Sequence, residues 1–324
     1  MDGFRIPVGK WAEAIVDVLG DVLGGFFDAV AFVLKAIYET VDAVLMAPPF
    51  WLLILVLAAL AFAVSGWRLA LGTALGLLVI VGVNQWDHAM DTLALVIVAG
   101  LVAIVIAIPV GIWAARSAAV SRIVRPLLDL LQTMPAFVYL IPAIIFFGVG
   151  AVPGMIATIL FAIAPGVRLT ELGIRGVDSE VVEAGHAFGA SPARVLRQIQ
   201  IPLALPSIMA GVNQVIMLSL SMVVIAGMVG AGGLGGEIVR AIGRINVGLG
   251  FEAGLSVVMI AMILDRLTSA LGRPRGPRRL PRPLRRAGTG AGAGRGDIAD
   301  ETERSAAGQS AAASAAAPLE RTSA

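Results

Sequence analysis

The residues of this chain that could do chemistry are few, and none is arranged for catalysis. There is no cysteine, and the two histidines, His88 and His186, fall in separate polar segments with no nucleophile beside them. We expect these segments on opposite sides of a membrane, so the histidines cannot share a metal. Gly230 to Gly235 matches the pattern GxGxxG, but no β-strand unit surrounds it, and the sequence contains no Gly-Lys-Ser/Thr phosphate loop. We therefore predict no catalytic residue, no metal site and no ATPase in this chain, and a flexible external turn at 229–236.

The polar segment 176–202 has the most informative spacing. Asp178 or Ser179 is placed to cap a short helix, and Gly189 is placed to end that helix in the left-handed conformation. A second helix is predicted over 193–200, opened by a proline at its first position and stopped by the next proline. The segment is too polar to enter lipid, so we expect two short helices on a membrane face.

The elements that position this segment are predicted to be membrane-spanning helices. Hydrophobic residues make up 58% of the 324 residues and charged residues 14%, whereas a soluble domain has about 25% charged residues. The apolar residues form long uninterrupted runs, which indicates lipid as the solvent. We predict an all-α polytopic bundle of about seven transmembrane helices. They fall within 48–68, 69–86, 91–116, 129–168 (two spans divided by glycines and a proline), 201–236 and 247–271.

Arginines in the polar segments predict the orientation. If the spans alternate, three basic segments lie on one side, and the positive-inside rule places that side in the cytoplasm. The N-terminus is then outside and the C-terminus inside the inner or plasma membrane. The arginines that decide this are Arg116, Arg122 and Arg125 after the third span, Arg168, Arg175, Arg194 and Arg197 after the fifth, and the basic tail from Arg273.

The spans contain almost no ionisable residues at membrane depth. Arg168, Glu171 and Asp265 all fall at predicted cytoplasmic ends. Proton-coupled carriers, voltage sensors and intramembrane hydrolases normally need a charged group inside the bilayer. Any energy for transport must therefore come from outside the bilayer.

The spacing in 176–202 resembles a known family motif. Glu183-Ala184-Gly185, then three residues, Gly189, nine residues and Ile199-Gln200-Ile201-Pro202, is similar to the EAA loop of ABC importer permeases. The family pattern has alanine at position 185 and leucine at position 201. Other segments resemble the permeases for glycine betaine, proline betaine and related quaternary ammonium osmolytes, which are type I, binding-protein-dependent importers. These segments are 132–142, 168–170, 202–211, 220–226, 230–236 and 248–254.

The resemblance implies a set of partners. Two ATPase subunits would dock on the cytoplasmic side and bind ATP and Mg, an extracytoplasmic binding protein would deliver the substrate, and a second permease copy would complete a homodimer. A heterodimer with a sister permease is the alternative to this homodimer. The implied function is osmoprotectant import, with no enzymatic activity and no nucleic-acid partner. The implied ATPase-coupling residues are Glu183, Ala184, Gly185, Gly189, Ile199 and Pro202.

Candidate pathway residues surround a proline break and a later polar patch. Pro135 lacks a backbone donor and loosens its helix, and Phe137 and Tyr139 offer aromatic faces that attract a quaternary ammonium. Core or lipid packing is the alternative for the aromatic residues, and helix–helix hydrogen bonding is the alternative for the polar patch. The full candidate set is Gln132, Thr133, Met134, Pro135, Phe137, Tyr139, Asn213 and Ser221.

The chain is predicted to have four parts. An extracytoplasmic amphipathic segment, 1–47, lies on the membrane surface or packs on the bundle. Two peripheral transmembrane helices follow within 48–90. The ABC permease core is 91–272 and contains the coupling loop, 176–202. The tail, 273–324, is predicted to be a disordered cytoplasmic segment. Alternative functions are a type I ABC permease for another small solute, or a stand-alone channel or secondary carrier that would transport without an ATPase.

Overall fold

The computed structural model describes residues 8–271, and these residues form helices with no strand among them. The α-helices are α1 (Val8–Met46), α2 (Phe50–Ser65), α3 (Trp67–Gly82), α4 (Trp86–Arg116), α5 (Ala118–Thr133), α6 (Ala136–Phe147), α7 (Ala151–Arg175), α8 (Ser179–Ala187), α9 (Pro192–Val195), α10 (Ile201–Ser221), α11 (Val223–Met228), α12 (Gly233–Arg244) and α13 (Val247–Leu271). A single π-helical turn, Leu196–Gln200, joins α9 to α10. The all-α class predicted from the sequence is confirmed.

Helix α7 lies at the centre of the bundle, packed between α4 and α10. Small residues let these helices approach closely. A Cβ atom on Gly111 of α4 would lie 2.6 Å from Cβ of Thr170, and one on Gly166 of α7 would lie 2.8 Å from Cβ of Ala107. In lipid, helices associate mainly through such close packing, since burial of apolar surface gives no advantage there.

Four helical segments are long and apolar enough to cross a membrane. Two bent pairs, α1 with α2 and α5 with α6, would raise the number to six, against about seven spans predicted from the sequence. The difference lies in α3, which has 16 residues and belongs to neither pair. At 1.5 Å per residue such a helix is about 24 Å long, less than the hydrocarbon thickness of about 30 Å. The four segments are Trp86–Arg116, Ala151–Arg175, Pro192–Met228 and Val247–Ala270.

The predicted division of the uncharged run 129–168 is confirmed. Helix α6 ends before Gly148, and α7 begins after Gly150. These glycines have φ values of +75° and +139°, which residues with a Cβ rarely adopt. The connection between the two helices therefore depends on glycine.

Helix α1 packs on the bundle through its C-terminal half. Leu34 and Leu45 are buried, and the ring of Phe27 stacks on Phe146 of α6 with centroids 4.4 Å apart. Most large apolar residues of the first half are exposed, Val18 and Val22 among them. Packing on the bundle, one of the two predicted placements, therefore holds for the second half of α1. The predicted disordered tail, 273–324, and residues 1–7 lie outside the described residues.

Candidate coupling site and pathway

The first helix of the coupling loop, α8, is capped at both ends. Oδ1 of Asp178 accepts a hydrogen bond from the N–H of Glu180 at 2.9 Å, so Asp178 is the N-cap. Gly189 has φ +79°, and its N–H and that of the next residue donate to the carbonyls of His186 and Gly185 at 2.9 and 3.1 Å. These two bonds form a Schellman motif. The predicted helix end at Gly189 is therefore confirmed.

The outer surface of α8 is uncovered. None of its nine residues is buried against the described part of the chain, and Glu183 and Ala184 are exposed. Phe188, just beyond the helix, is 93% exposed. Gly185 faces inward, where a Cβ would lie 2.6 Å from Cδ1 of Ile199. A small residue at 185 thus brings α8 against the second half of the loop and leaves the opposite face free.

The second helix of the coupling loop runs directly into the spanning helix α10. It begins with Pro192 at its first position, as predicted, but it does not stop at Pro202. The N–H of Ile201 donates to the carbonyl of Leu196 in the π turn. This wider turn accommodates the missing donor and the ring of Pro202, which would clash in a regular α-helix. The prediction of a helix stop was wrong, and 192–228 forms one continuous helical segment.

The base of the coupling loop is packed against α7. A cluster of apolar side chains joins the end of α7 to the π turn and α10, and it consists of Ile174, Leu196, Ala204 and Ile208. A Cβ on Gly173 would lie 2.7 Å from Cβ of Ser207, so α7 and α10 are in close contact here. The base of the loop is therefore in direct contact with both helices.

A polar seam, not predicted from the sequence, joins α5 to the C-terminal end of α7. Its members are Ser121, Arg125, Asp129 and Gln132 of α5, and Arg168, Glu171 and Arg175 of α7. They recur every three or four residues and so lie along one face of each helix. This helical spacing of complementary groups is the sequence signal that could have predicted the seam.

Glu171 is the centre of the polar seam. Its side chain is only 3% exposed. Its Oε1 accepts from the hydroxyl of Ser121 at 2.7 Å and from Nη2 of Arg125 at 2.9 Å, and Nε of Arg175 lies 3.1 Å away. Arg175 also donates to the carbonyl of Ala114, at 2.8 Å. Glu171 therefore connects α5 to α7 through charge-assisted hydrogen bonds, and Arg175 joins α4 to the same network.

The first pathway candidates lie where the polar seam ends. Oε1 of Gln132 accepts from Nη1 of Arg168 at 2.9 Å, and the hydroxyl of Thr133 donates within its own helix. Helices α5 and α6 then meet at 97°, around Met134 and Pro135. The predicted loosening at Pro135 is thus a full break between two helices.

The remaining pathway candidates have different environments. Phe137 is exposed, while Tyr139 is 7% exposed and packs near Met222 of the α10–α11 junction. The hydroxyl of Tyr139 has no hydrogen-bond partner among residues 8–271. Ser221 is exposed next to Met222, and its hydroxyl donates within α10. Tyr139 therefore has the core packing that was the alternative to a pathway role, and the transport roles of Phe137 and Ser221 stay predictions.

Asn213 takes part in a different contact. Its Nδ2 donates to Oδ1 of Asp265 at 3.1 Å, and its Oδ1 accepts from the hydroxyl of Thr268. Both partners lie on α13. Within this chain Asn213 makes the helix–helix hydrogen bonds that were the alternative to a pathway role.

The segment 229–236, predicted to be a flexible turn, is closely packed and ends in a helix, and together with 226–228 it forms a unit that we call the glycine-rich turn. Residues 233–236 are the first turn of α12, and a Cβ on Gly235 would overlap the carbonyl oxygen of Val223. A Cβ on Gly227 would overlap the backbone of Gly235 in the same way. Oγ1 of Thr92 accepts from the buried N–H of Leu234 at 2.8 Å. The glycines allow backbone-to-backbone packing that no larger residue permits.

Glu237 is a second buried carboxylate, and His88 contacts it near the start of α4. Nε2 of His88 lies 3.0 Å from Oε1 of Glu237, whose side chain is 4% exposed. Arg240, one turn further along α12, also donates to Glu237. The sequence did not predict this contact, because Glu237 follows His88 by 149 positions.

A family model describes the region that contains the coupling loop and the polar seam. Binding-protein-dependent transport system inner membrane components match residues 107–274, which is more than half of the chain. The chain belongs to this family. Membership makes it a permease component of an inner membrane, in a system that depends on a binding protein.

Three relatives match the permease over most of its length. It is 47% identical to the glycine betaine transport system permease protein OpuAB of Bacillus subtilis, over 82% of this chain and 94% of the relative. It is 46% identical to the glycine betaine/proline betaine transport system permease protein ProW of Escherichia coli, over 83% of this chain and 76% of the relative. It is also 46% identical to the glycine betaine/carnitine transport permease protein GbuB of Listeria monocytogenes, over 83% of this chain and 96% of the relative.

A solved structure agrees with the fold. An inward-facing structure of the MetNI methionine ABC transporter contains a chain that aligns with a TM-score of 0.54 at 22% identity. The alignment covers 58% of the permease and 94% of that chain. At this identity the likeness concerns the fold alone, and it confirms the predicted type I ABC importer core.

Proposed function

We propose that this permease forms the membrane pathway of an ATP-driven importer of glycine betaine, proline betaine or a related quaternary ammonium osmolyte. The observation that carries the proposal is the identity of 46–47% to three betaine permeases over about four fifths of the chain. The capped, uncovered helix α8 supports the coupling part of the proposal. The energy comes from a separate ATPase, which binds ATP and Mg.

The uncovered face of α8 is the surface that docks on the ATPase. It offers the carboxylate of Glu183, the small side chain of Ala184 and the exposed ring of Phe188. Small residues allow close helix packing in a groove, and Glu183 can pair with a basic partner residue. The other residues of the motif stabilise the loop on the side away from the ATPase. They are Gly185, Gly189, Ile199 and Pro202.

Two connections carry movement from α8 into the membrane. The second half of the coupling loop is continuous with α10, so a displacement of the loop turns or tilts that helix as a unit. The polar seam connects α7, which leads into α8, to α5, whose last turn holds Gln132 and Thr133. The break at Met134 and Pro135 is therefore the point where α6 can change its angle relative to α5.

A quaternary ammonium substrate suits a pathway without membrane-depth charges. It carries no N–H donor, so aromatic faces can attract it without strong hydrogen bonds. Phe137, which is exposed just after the break at Pro135, supplies such a face. In the assembled transporter a second copy of the permease completes the pathway. The N-terminus lies outside, where the binding protein docks, and the C-terminus lies in the cytoplasm.

Uptake of radiolabelled glycine betaine into proteoliposomes tests the proposal. The vesicles contain the permease and its ATPase, with ATP inside and the binding protein outside. We expect uptake that requires all three components and ATP, and competition by proline betaine but not by methionine. Uptake without the ATPase would show a channel or secondary carrier instead, and ATP-dependent uptake of another solute alone would show a permease of different specificity.

Charge reversal on α8 tests the docking surface separately. We expect Glu183→Lys to abolish co-purification of the ATPase and ATP-dependent uptake, while membrane insertion stays normal. Glu252→Lys is the matched control, because Glu252 is exposed at the opposite end of the bundle, in the first turns of α13. A Glu183→Lys permease that co-purifies with a full complement of ATPase would contradict this surface.

A further inference from the structure

A cleft between the start of α3 and the end of α13 has no role in the transport scheme. It encloses about 540 Å³, within the range of small-molecule sites. Its floor is apolar, from Gly76, Met259 and Ile263, and its rim carries Arg68 and Arg266. Since α3 and α13 pack together with Arg68 near the start of one helix and Arg266 near the end of the other, both charges lie at the same edge of the bundle.

The two guanidinium groups give the cleft a positive rim. Within residues 8–271, neither Arg68 nor Arg266 forms an ion pair with a carboxylate. Arg68 lies 5.7 Å from the ring centroid of Trp67, a contact that leaves its N–H donors available. Two positive charges facing one cavity repel each other, so an anion between them would be stabilised.

A buried hydroxyl points to a ligand deeper in the same cleft. Thr73 lines the cleft and is 1% exposed, and its Oγ1 has no hydrogen-bond partner among the described residues. A buried hydroxyl without a partner costs about 1–3 kcal/mol. Thr73 follows Arg68 by five residues, and so lies about 7.5 Å further along the helix. That distance is close to the thickness of the headgroup region on each side of a bilayer, about 5–8 Å.

Glycine keeps the membrane side of the cleft open. A Cβ on Gly72 would have no atom within 4 Å, and Gly72 is exposed between Arg68 and Gly76. Helix α13 leaves most of its spanning surface outside the bundle, since only 17% of it is buried. The cleft therefore opens toward lipid as well as toward the membrane surface.

We propose that this cleft binds one anionic phospholipid. The phosphate lies between Arg68 and Arg266, the hydroxyl of Thr73 donates to an ester carbonyl, and the acyl chains follow the groove over Gly72. Basic pockets between membrane helices on the cytoplasmic side bind such headgroups. A carboxylate also lies nearby, since the hydroxyl of Ser269, which lines the cleft, is 3.4 Å from Asp265. That carboxylate is held by Asn213 of α10 and does not line the cleft.

Lipid titration followed by native mass spectrometry tests the proposal on the permease purified with its ATPase. We expect one phosphatidylglycerol per permease chain to bind in preference to phosphatidylcholine. Arg68→Gln should weaken phosphatidylglycerol binding about fivefold, and the Arg68→Gln/Arg266→Gln double variant about thirtyfold, at about 1 kcal/mol per arginine. Arg122→Gln removes the same charge from an exposed position outside the cleft and should change binding less than about twofold.

Two further measurements distinguish binding of a lipid from binding of a free anion. Gly72→Leu keeps both arginines but fills the groove, so it should remove the preference for phosphatidylglycerol. Inorganic phosphate should not displace the bound lipid. The proposal would be overturned if the two lipids bound equally, or if Arg68→Gln and Arg122→Gln had equal effects. It would also be overturned if phosphate displaced the lipid completely and Gly72→Leu left the preference for phosphatidylglycerol unchanged. The Gly72→Leu and single-arginine variants decide the question even if the double variant fails to assemble.

Discussion

The coupling loop and the glycine-rich turn are both interruptions between apolar helices, yet they are built in opposite ways. In the coupling loop, Gly185 faces the flexible end of the Ile199 side chain, and the outer face of α8 is uncovered. In the glycine-rich turn, Gly227 and Gly235 face backbone atoms, and Leu234 is fully buried. A side-chain end can move by a few tenths of an ångström, but packed backbone cannot. The loop is therefore suited to moving as a unit against a partner, and the turn to fixing α11 and α12 in place.

The contacts around each segment follow the same division. The helix ends that lead into the coupling loop are tied by ionic groups at the membrane edge, with Glu171 between two arginines. The glycine-rich turn is tied by neutral contacts, from Thr92 to Leu234 and from the N–H of Gly150 to the carbonyl of Val229. Four substitutions test this comparison, in order of expected effect.

The largest loss of stability is expected from Gly235→Ala. The new methyl group would overlap the carbonyl oxygen of Val223, and the two helices must separate to accept it. We expect a loss of about 3 kcal/mol or more in the free energy of unfolding, measured by denaturant titration in detergent. Gly236→Ala is the control, because its Cβ meets no atom within 4 Å, and it should be neutral or stabilising by up to about 1 kcal/mol. Equal effects of the two changes would show that the turn is flexible after all.

Thr92→Val should cost about 2 kcal/mol. The buried N–H of Leu234 would lose its acceptor, and α12 would lose the group that holds its first turn. Thr158→Val is the matched control: Thr158 is equally buried, but its hydroxyl bonds only to the carbonyl of Gly154 in its own helix. The same titration measures both. A cost for Thr158→Val as large as that for Thr92→Val would argue against a special role for the α4–α12 contact.

Arg125→Gln should cost about 1.5 kcal/mol in stability. Glu171 would keep Ser121 and Arg175, and the lost group is itself half-exposed, so the effect stays moderate. We also expect more ATP hydrolysed per betaine imported, because α5 is less firmly joined to α7. Arg122→Gln, which removes a guanidinium that bonds only within α5, should leave that ratio unchanged. An unchanged ratio in Arg125→Gln would limit the polar seam to a structural role.

The smallest effect is expected from Gly185→Ala, below about 1 kcal/mol. The added methyl group contacts Cδ1 of Ile199, which can rotate away, and alanine favours the helix. Gly189→Ala should cost more, about 1–2 kcal/mol, because position 189 has φ +79° although no atom obstructs a Cβ there. Thermal unfolding of the two variants, measured side by side, gives the order. The reverse order would mean that close packing, and not the left-handed cap, limits the coupling loop.

Much of the coupling loop was predictable because its signals are local. The Asp178 cap, the Gly189 end and the start at Pro192 each depend on residues within one helical turn. The continuation through Pro202 was not predictable in this way. Proline normally ends a helix, and the π turn that avoids this end includes Leu196, which packs with Ile208 against distant residues of α7.

The sequence by itself determined the all-α membrane class, the division of the run 129–168 and the family motif in 176–202. These depend on hydrophobic run length and on spacing along one helix, which are properties of the linear chain. The tertiary structure alone decided the polar seam, the contact of His88 with Glu237 and the close backbone packing of the glycine-rich turn. Each of these joins residues that are distant in the chain or depends on which atoms face a glycine. A linear pattern contains neither kind of information.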